Sequence, residues 1–201
     1  MYETEAELDA LDDLLTASLT GATGHLRSIV TGEHTLDARQ TARVLTGMRL
    51  LSLATVTASG EPRISAADGH FLHARWVFST DGGAAKAGHL RARPQASVAH
   101  LDGEDLGVFA HGRVEFLDPS HPDFAAIEAH LTAHYGSSPS SWGDDIVYLR
   151  LVPHWMVVYA GAKAKVLAAA AADGPPGQDA GTSDRGAGTS AQDAGTSAGS
   201  A

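Results

Sequence analysis

The stretch Phe78-Ser79-Thr80-Asp81-Gly82-Gly83-Ala84-Ala85-Lys86-Ala87-Gly88-His89-Leu90 changes character twice. It begins as the end of an apolar run, Arg75-Trp76-Val77-Phe78, and turns on two glycines. Helix formers then continue until Arg93-Pro94, where the proline steers the residue before it out of the helical region. The spacing predicts a strand over 75–80, a turn, and a short helix from Ala84 to about Arg91. The same residues hold the ingredients of an anion site. A helix start offers N–H groups and the positive end of a dipole; Ser79 and Thr80 add hydroxyls, and Lys86 adds charge. Arg63, on an earlier strand, is placed to serve the same pocket. By spacing alone the pattern also reads as a capped surface helix with a solvated lysine.

Working outward, short apolar runs alternate with turn chemistry. Leu51 to Thr57 is strand-like, Ala58-Ser59-Gly60-Glu61-Pro62 turns the chain, and Arg63-Ile64-Ser65-Ala66-Ala67 returns. Ala96 to Leu101 makes a fourth strand, closed by Asp102-Gly103-Glu104-Asp105. From Leu106 to Leu117, Val108, Ala110, Gly112, Val114 and Phe116 share one face. Phe109, His111, Arg113 and Glu115 share the other. A helix carrying Phe124, Ile127, Leu131 and Tyr135 is closed by Gly136. Two further strands follow, Ile146 to Val152 and Trp155 to Tyr159. Roughly six to seven short antiparallel strands predict a mainly β fold, a small barrel with peripheral helices, because closure removes exposed sheet edges.

Residues 1–47 read as a helical N-terminal arm, 48–162 as the barrel domain, and 163–201 as an Ala-rich segment with a Gly/Ala/Ser/Thr tail. In the arm, Leu8, Leu11, Leu15 and Leu19 fall at helical spacing, while the acids occupy other faces and read as solvated. Thr35 reads as the N-cap of a second helix through Asp37, Ala38, Val44 and Leu45, stopped near Gly47. In the tail, Gly-Thr-Ser recurs at 181–183, 188–190 and 195–197 with no large apolar residue. Such a segment cannot offset its ordering entropy and is expected to be disordered.

The 201 residues carry a formal charge of −10, which argues against a nucleic-acid partner. It leaves room for a locally basic pocket. There is no cysteine, so disulfides, thiolate metal sites and cysteine nucleophiles are excluded. No window approaches about 18 uninterrupted apolar residues, so no membrane span is expected. The start is acidic where a secretory leader would be basic and then apolar, so a cytoplasmic location is expected.

From about Leu50 to Tyr159 the chain resembles the pyridoxamine 5′-phosphate oxidase-like split-barrel family, including its deazaflavin-dependent branch. The resembling pieces are Leu53-Ala54-Thr55-Val56-Thr57 with Gly60-Glu61-Pro62-Arg63, Trp76-Val77-Phe78-Ser79-Thr80, Lys86 through Val98, and Gly112-Arg113-Val114. The resemblance implies a split β-barrel, a homodimer with two cofactor sites at its interface, and FMN or coenzyme F420 as cofactor. It implies a small-molecule substrate, with Arg63, Ser65, Ser79, Thr80 and Lys86 around the cofactor phosphate and ribityl chain. Ala84 and Ala85 stand where relatives often carry an arginine. His89 stands where many have asparagine, and His111 roughly where pyridoxamine phosphate oxidases use glutamine.

A flavin carries the hydride chemistry itself, so no indispensable acid–base pair is expected, and no catalytic residue is singled out. No metal site is expected from the eleven histidines, which read as hydrogen-bonded or surface residues. His130 and His134 stand at i and i+4 without the carboxylate pattern of a zinc enzyme. Trp76, Trp142 and Trp155 read as core or interface aromatics. Two alternatives stand beside the oxidoreductase: a haem-binding or haem-processing split barrel, and a non-catalytic dimeric binding protein without cofactor affinity.

Overall fold

The computed structural model describes residues 2–172. Its centre is a closed antiparallel barrel in the order β1-β2-β3-β6-β5-β4. The strands are β1 (Met48–Val56), β2 (Pro62–Leu72), β3 (Arg75–Asp81), β4 (Gln95–Asp102), β5 (Leu106–Leu117) and β6 (Ile146–Ala160). Around it lie α1 (Glu5–Thr20), α2 (Gly24–Ile29), α3 (Ala38–Val44), α4 (Ala85–Ala92), α5 (Phe124–Tyr135) and α6 (Lys163–Ala172). No described helix is long and apolar enough to cross a membrane. The Gly-Thr-Ser repeats lie outside the described residues.

Alternation on β5 sets inside from outside. Val108, Ala110, Gly112 and Val114 are buried, while Phe109, His111 and Arg113 are exposed. The interior is completed by Leu51, Leu53, Trp76, Phe78, Val98, Leu149, Leu151 and Met156. α1 closes part of the outside with Leu8 and Leu11, and its buried Ser18 hydroxyl accepts a hydrogen bond from the Met156 N–H at 2.9 Å. α5 covers a second cluster, with Ile127 and Leu131 packed on Leu72, Val77, Leu117 and Tyr148.

Three sequence expectations are corrected. The two C-terminal strands are one, the 15-residue β6. Pro153 has no N–H to give to a ladder, but the chain bulges there instead of ending. His111 pairs with Trp155 and Gly112 with Pro153, so His154 is the extra residue. The N-cap of α3 is Asp37, not Thr35. Asp37 and Gln40 form a reciprocal capping box, whereas the Thr35 hydroxyl donates to the Val158 carbonyl at 2.9 Å.

The third correction concerns the arm's acids, which are not merely solvated. Glu7 closes a capping box on Thr4 and meets His73 Nδ1 at 3.1 Å; Glu5 pairs with Arg39 at 2.7 Å. His73 and Ala74 form the two-residue β2–β3 turn, with φ of 53° and 60°. Positive φ at both central positions matches the twist of a hairpin but is disfavoured for residues with a Cβ. The arm braces this turn, since Glu3 Oε1 also accepts from the Ala74 N–H at 3.5 Å.

At the bulge, a Cβ on Gly112 would lie against the carbonyl oxygen of Val152 and 2.9 Å from the Pro153 Cα. Because those atoms are backbone, Gly112→Ala should lower stability by about 1–3 kcal/mol in urea unfolding.

Candidate functional site

After the His73-Ala74 turn, β2 and β3 stay paired only from His70↔Val77 to Leu72↔Arg75. Towards Pro62, β2 holds β1 alone; from Phe78 to Asp81, β3 is paired with β6. A seam opens between them. The chain leaves β3 held to the loop before β6, with Gly82 N–H donating to the Asp145 carbonyl at 2.6 Å. The Asp145 carboxylate fills the place of a Gly82 side chain, so a residue with a Cβ there would have to displace it. α4 then returns to the other bank. Lys86 Nζ donates to the Ala66 carbonyl at 2.7 Å, and His89 Nδ1 meets the Thr55 hydroxyl at 3.0 Å. The helix starts at Ala84 without a side-chain cap, while Asp81 Oδ1 accepts the Gly83 N–H at 2.7 Å.

The seven residues singled out from sequence fall in four places. Ser65 and Lys86 both belong to the seam, since Lys86 bonds the carbonyl of the residue after Ser65. Arg63 lies on the same strand and is exposed, paired with Glu61 at 2.8 Å. Thr80 shares the barrel-facing side of β3 with Phe78, whereas Ser79 shares the α5 side with Val77. His89 sits below β1 on Thr55. His111 is elsewhere, on the outer face in the row Ile64–Ala54–Ser97–His111–Trp155.

His111 Nδ1 meets the Ser97 hydroxyl at 2.8 Å, and its ring stacks on Trp155 with centroids 4.6 Å apart. Burial, then the charge of His154, holds His111 below the ordinary histidine range, which favours a neutral imidazole at pH 7. Sequence reading missed Ser97, Trp155 and Thr55 as partners. Ser97 and Trp155 lie directly across from His111, a signal carried by strand register. Trp155 also lines a cavity of about 470 Å³ between α2 and the β4–β6 surface, walled by Leu26, Ile29, Leu101, Phe109 and Tyr159 among others.

The donor set fits an anionic, hydroxyl-bearing ligand. Ser65 Oγ is buried without a hydrogen-bond partner, a state that buried polar groups seldom keep. It lies where β2 lacks its β3 neighbour, one residue from the carbonyl that Lys86 holds. Among the described residues no group of three His, Asp or Glu side chains could hold a metal ion.

A sequence model described as pyridoxamine 5′-phosphate oxidase matches residues 38–159. The chain belongs to this family. No curated protein matches. Similar solved structures include a conserved hypothetical protein, Rv2991, from Mycobacterium tuberculosis. It is 19% identical, with 76% of this chain and 97% of that one covered, at a TM-score of 0.56. HutZ, a heme storage protein from Vibrio cholerae, is 19% identical over 60% of this chain and 92% of its own, TM-score 0.51. A FAD-binding protein from Mesorhizobium loti is 21% identical over 62% and 93%, TM-score 0.50. At these identities the likeness is one of fold. Fold and family are consistent with the flavin-binding oxidoreductase superfamily.

Removing the orphaned hydroxyl tests the seam. Ser65→Ala should leave the stability of the ligand-free protein unchanged or raise it by up to about 1 kcal/mol. A clear loss in urea unfolding would show that the hydroxyl already serves the fold.

Proposed function

We propose that this protein is a dimeric oxidoreductase that uses FMN or the deazaflavin F420 on a small organic substrate. The observation carrying this reading is the orphaned Ser65 hydroxyl beside Lys86 at the open seam, in a chain of this family. A phosphate-bearing chain asks for such a pair, a charged donor and a hydroxyl on a bank of backbone. Arg63 can turn to the same ligand by giving up its exposed pairing with Glu61, which is worth little in water. When bound, the flavin supplies the hydride transfer. The chain's own residues bind and orient it: Lys86, Ser65 and Thr80 at the seam and His89 fixed by Thr55, while His111, fixed by Ser97 and Trp155 on the outer face, would meet only a cofactor that extends to that face.

Dimerisation is supported by the outer face. Leu50, Ile64 and Leu101 are 61%, 76% and 60% exposed, and Phe109 is exposed beside them. Apolar side chains gathered on one sheet face mark an interaction surface, and a second copy of the chain is the reading that suits it.

Equilibrium binding of FMN and of F420 to the purified protein tests the reading, with binding expected for one of them. Lys86→Ala should weaken that binding by about 1.5–3 kcal/mol, the worth of a charged hydrogen bond. Failure of both cofactors to bind at concentrations on the order of tens of micromolar, near −6 to −7 kcal/mol, would overturn it.

A further inference from the structure

On the far side of β2 from the barrel interior lies a polar cluster that the flavin reading does not use. His70 is 1% exposed and engages both ring nitrogens. Its Nε2 meets the Tyr135 hydroxyl at 3.0 Å, and its Nδ1 meets His130 Nε2 at 3.0 Å. The His134 ring stands edge-on to it with centroids 4.8 Å apart. His130, His134 and Tyr135 all belong to the last turns of α5, so one buried imidazole of the barrel holds the end of that helix. Tyr2 closes the cluster from the N-terminal side, its ring 4.8 Å from His130, and Trp142 lies 4.9 Å from Tyr135.

We propose that the His70–His130–His134 cluster is an acid-sensitive latch, which holds α5 on the barrel while its imidazoles are neutral and frees the helix end when they charge. The hydrogen bonds close with neutral rings, because one imidazole can accept from the Tyr135 hydroxyl while donating to His130. Protonation puts like charges about 5 Å apart, out of water.

Burial, then His130 and His134, pushes His70 down to about 3 from an ordinary 6.5. Burial, then His134, lowers His130 as well. A histidine lowered on folding stabilises fully above its unfolded value and loses that contribution as pH falls towards its folded one. The latch is therefore complete near neutrality and weakens from about pH 6.5 downwards.

Other charges around the helix do not cancel this effect. Asp68 acts on Tyr135, which burial first pushes up to about 12. Glu3 acts on Tyr2, and Glu7 is held by His73 and Thr4. At the opposite end of α5, Arg150 binds Glu115 and Asp123 at 2.5 Å each, and meets His121 at 3.2 Å. The Arg150 hydrogen bond holds Asp123 below the usual carboxylate range, so the Arg150–Asp123 pair keeps its charges when His70 and His130 take up protons. Release thus begins at Tyr135 and His134 and uncovers Leu72 and Val77 beneath.

Hydrogen exchange of the full chain, followed by mass spectrometry and corrected for intrinsic rates, tests the latch. Between about pH 7.5 and pH 5, opening of residues 130–135 should rise at least about tenfold while β4 and β5 keep their protection. His134→Ala, which removes a neighbour that lowers His70 and His130, should move the transition to lower pH. His70→Phe should reduce the pH dependence, leaving only the part that His130 carries; if that variant does not fold, His130→Gln gives the same test as His134→Ala. Unchanged protection of 130–135 at pH 5, simultaneous loss of the barrel, or a transition unmoved in these variants would each overturn the proposal.

Discussion

The ladder between β2 and β3 stops after His70↔Val77, Phe71↔Trp76 and Leu72↔Arg75, and the open side of the barrel follows from that short pairing. A two-residue turn starts the hairpin, with both central residues at positive φ. The ladder then gives way because Gly82 is bound to Asp145 and β3 is committed to β6. The bank of β2 that is left without a neighbour presents backbone groups that something else must satisfy. Lys86 satisfies one of them, and the neighbouring Ser65 hydroxyl remains unmatched. The architecture of the sheet thus produces the site, and the N-terminal arm supports it indirectly through Glu3 and Glu7 on the turn.

Features governed by local periodicity were legible from sequence. The alternation of β5, the leucine spacing of α1, and the stripe of α5 closed by Gly136 are written in neighbouring residues. β6 was not legible as one strand because Pro153 reads locally as a stop. What lets the chain continue is Gly112, a residue on another strand that leaves room for the bulge. Thr35 and Asp37 are both good caps, and Gln40 decides between them. At the site, Lys86 was legible from the strand–turn–helix pattern and Ser65 through resemblance, and the structure places Lys86 on the carbonyl of the residue after Ser65. Ser79 and Thr80, adjacent in sequence, point to opposite sides of β3, which the two-residue period of a strand already dictates. His111 was named without Ser97 and Trp155, since only strand register brings those three together.

The same barrel treats polar groups in two ways. On the seam side a hydroxyl is buried with nothing to bind, which suits a ligand-receiving surface. On the α5 side every nitrogen of His70 is matched, and Arg150 gathers two carboxylates. A satisfied network fixes geometry, whereas an unsatisfied one leaves affinity to be supplied from outside. The apolar contacts of Ile127 and Leu131 bind the helix, and the polar groups at its two ends determine its register.

The seam also bears on how the chain assembles. β3 ends at Asp81 and finds its second neighbour only in β6, which begins much further along the chain, at Ile146. In the finished barrel the seam edge of β2 remains open from Pro62 to Gly69. An uncovered edge is a template on which another chain can grow, and natural sheets guard such edges with long cationic side chains. Arg63 stands on this edge and Lys86 reaches across to it. The positive charges proposed to hold an anion therefore stand where natural sheets place the side chains that guard an edge.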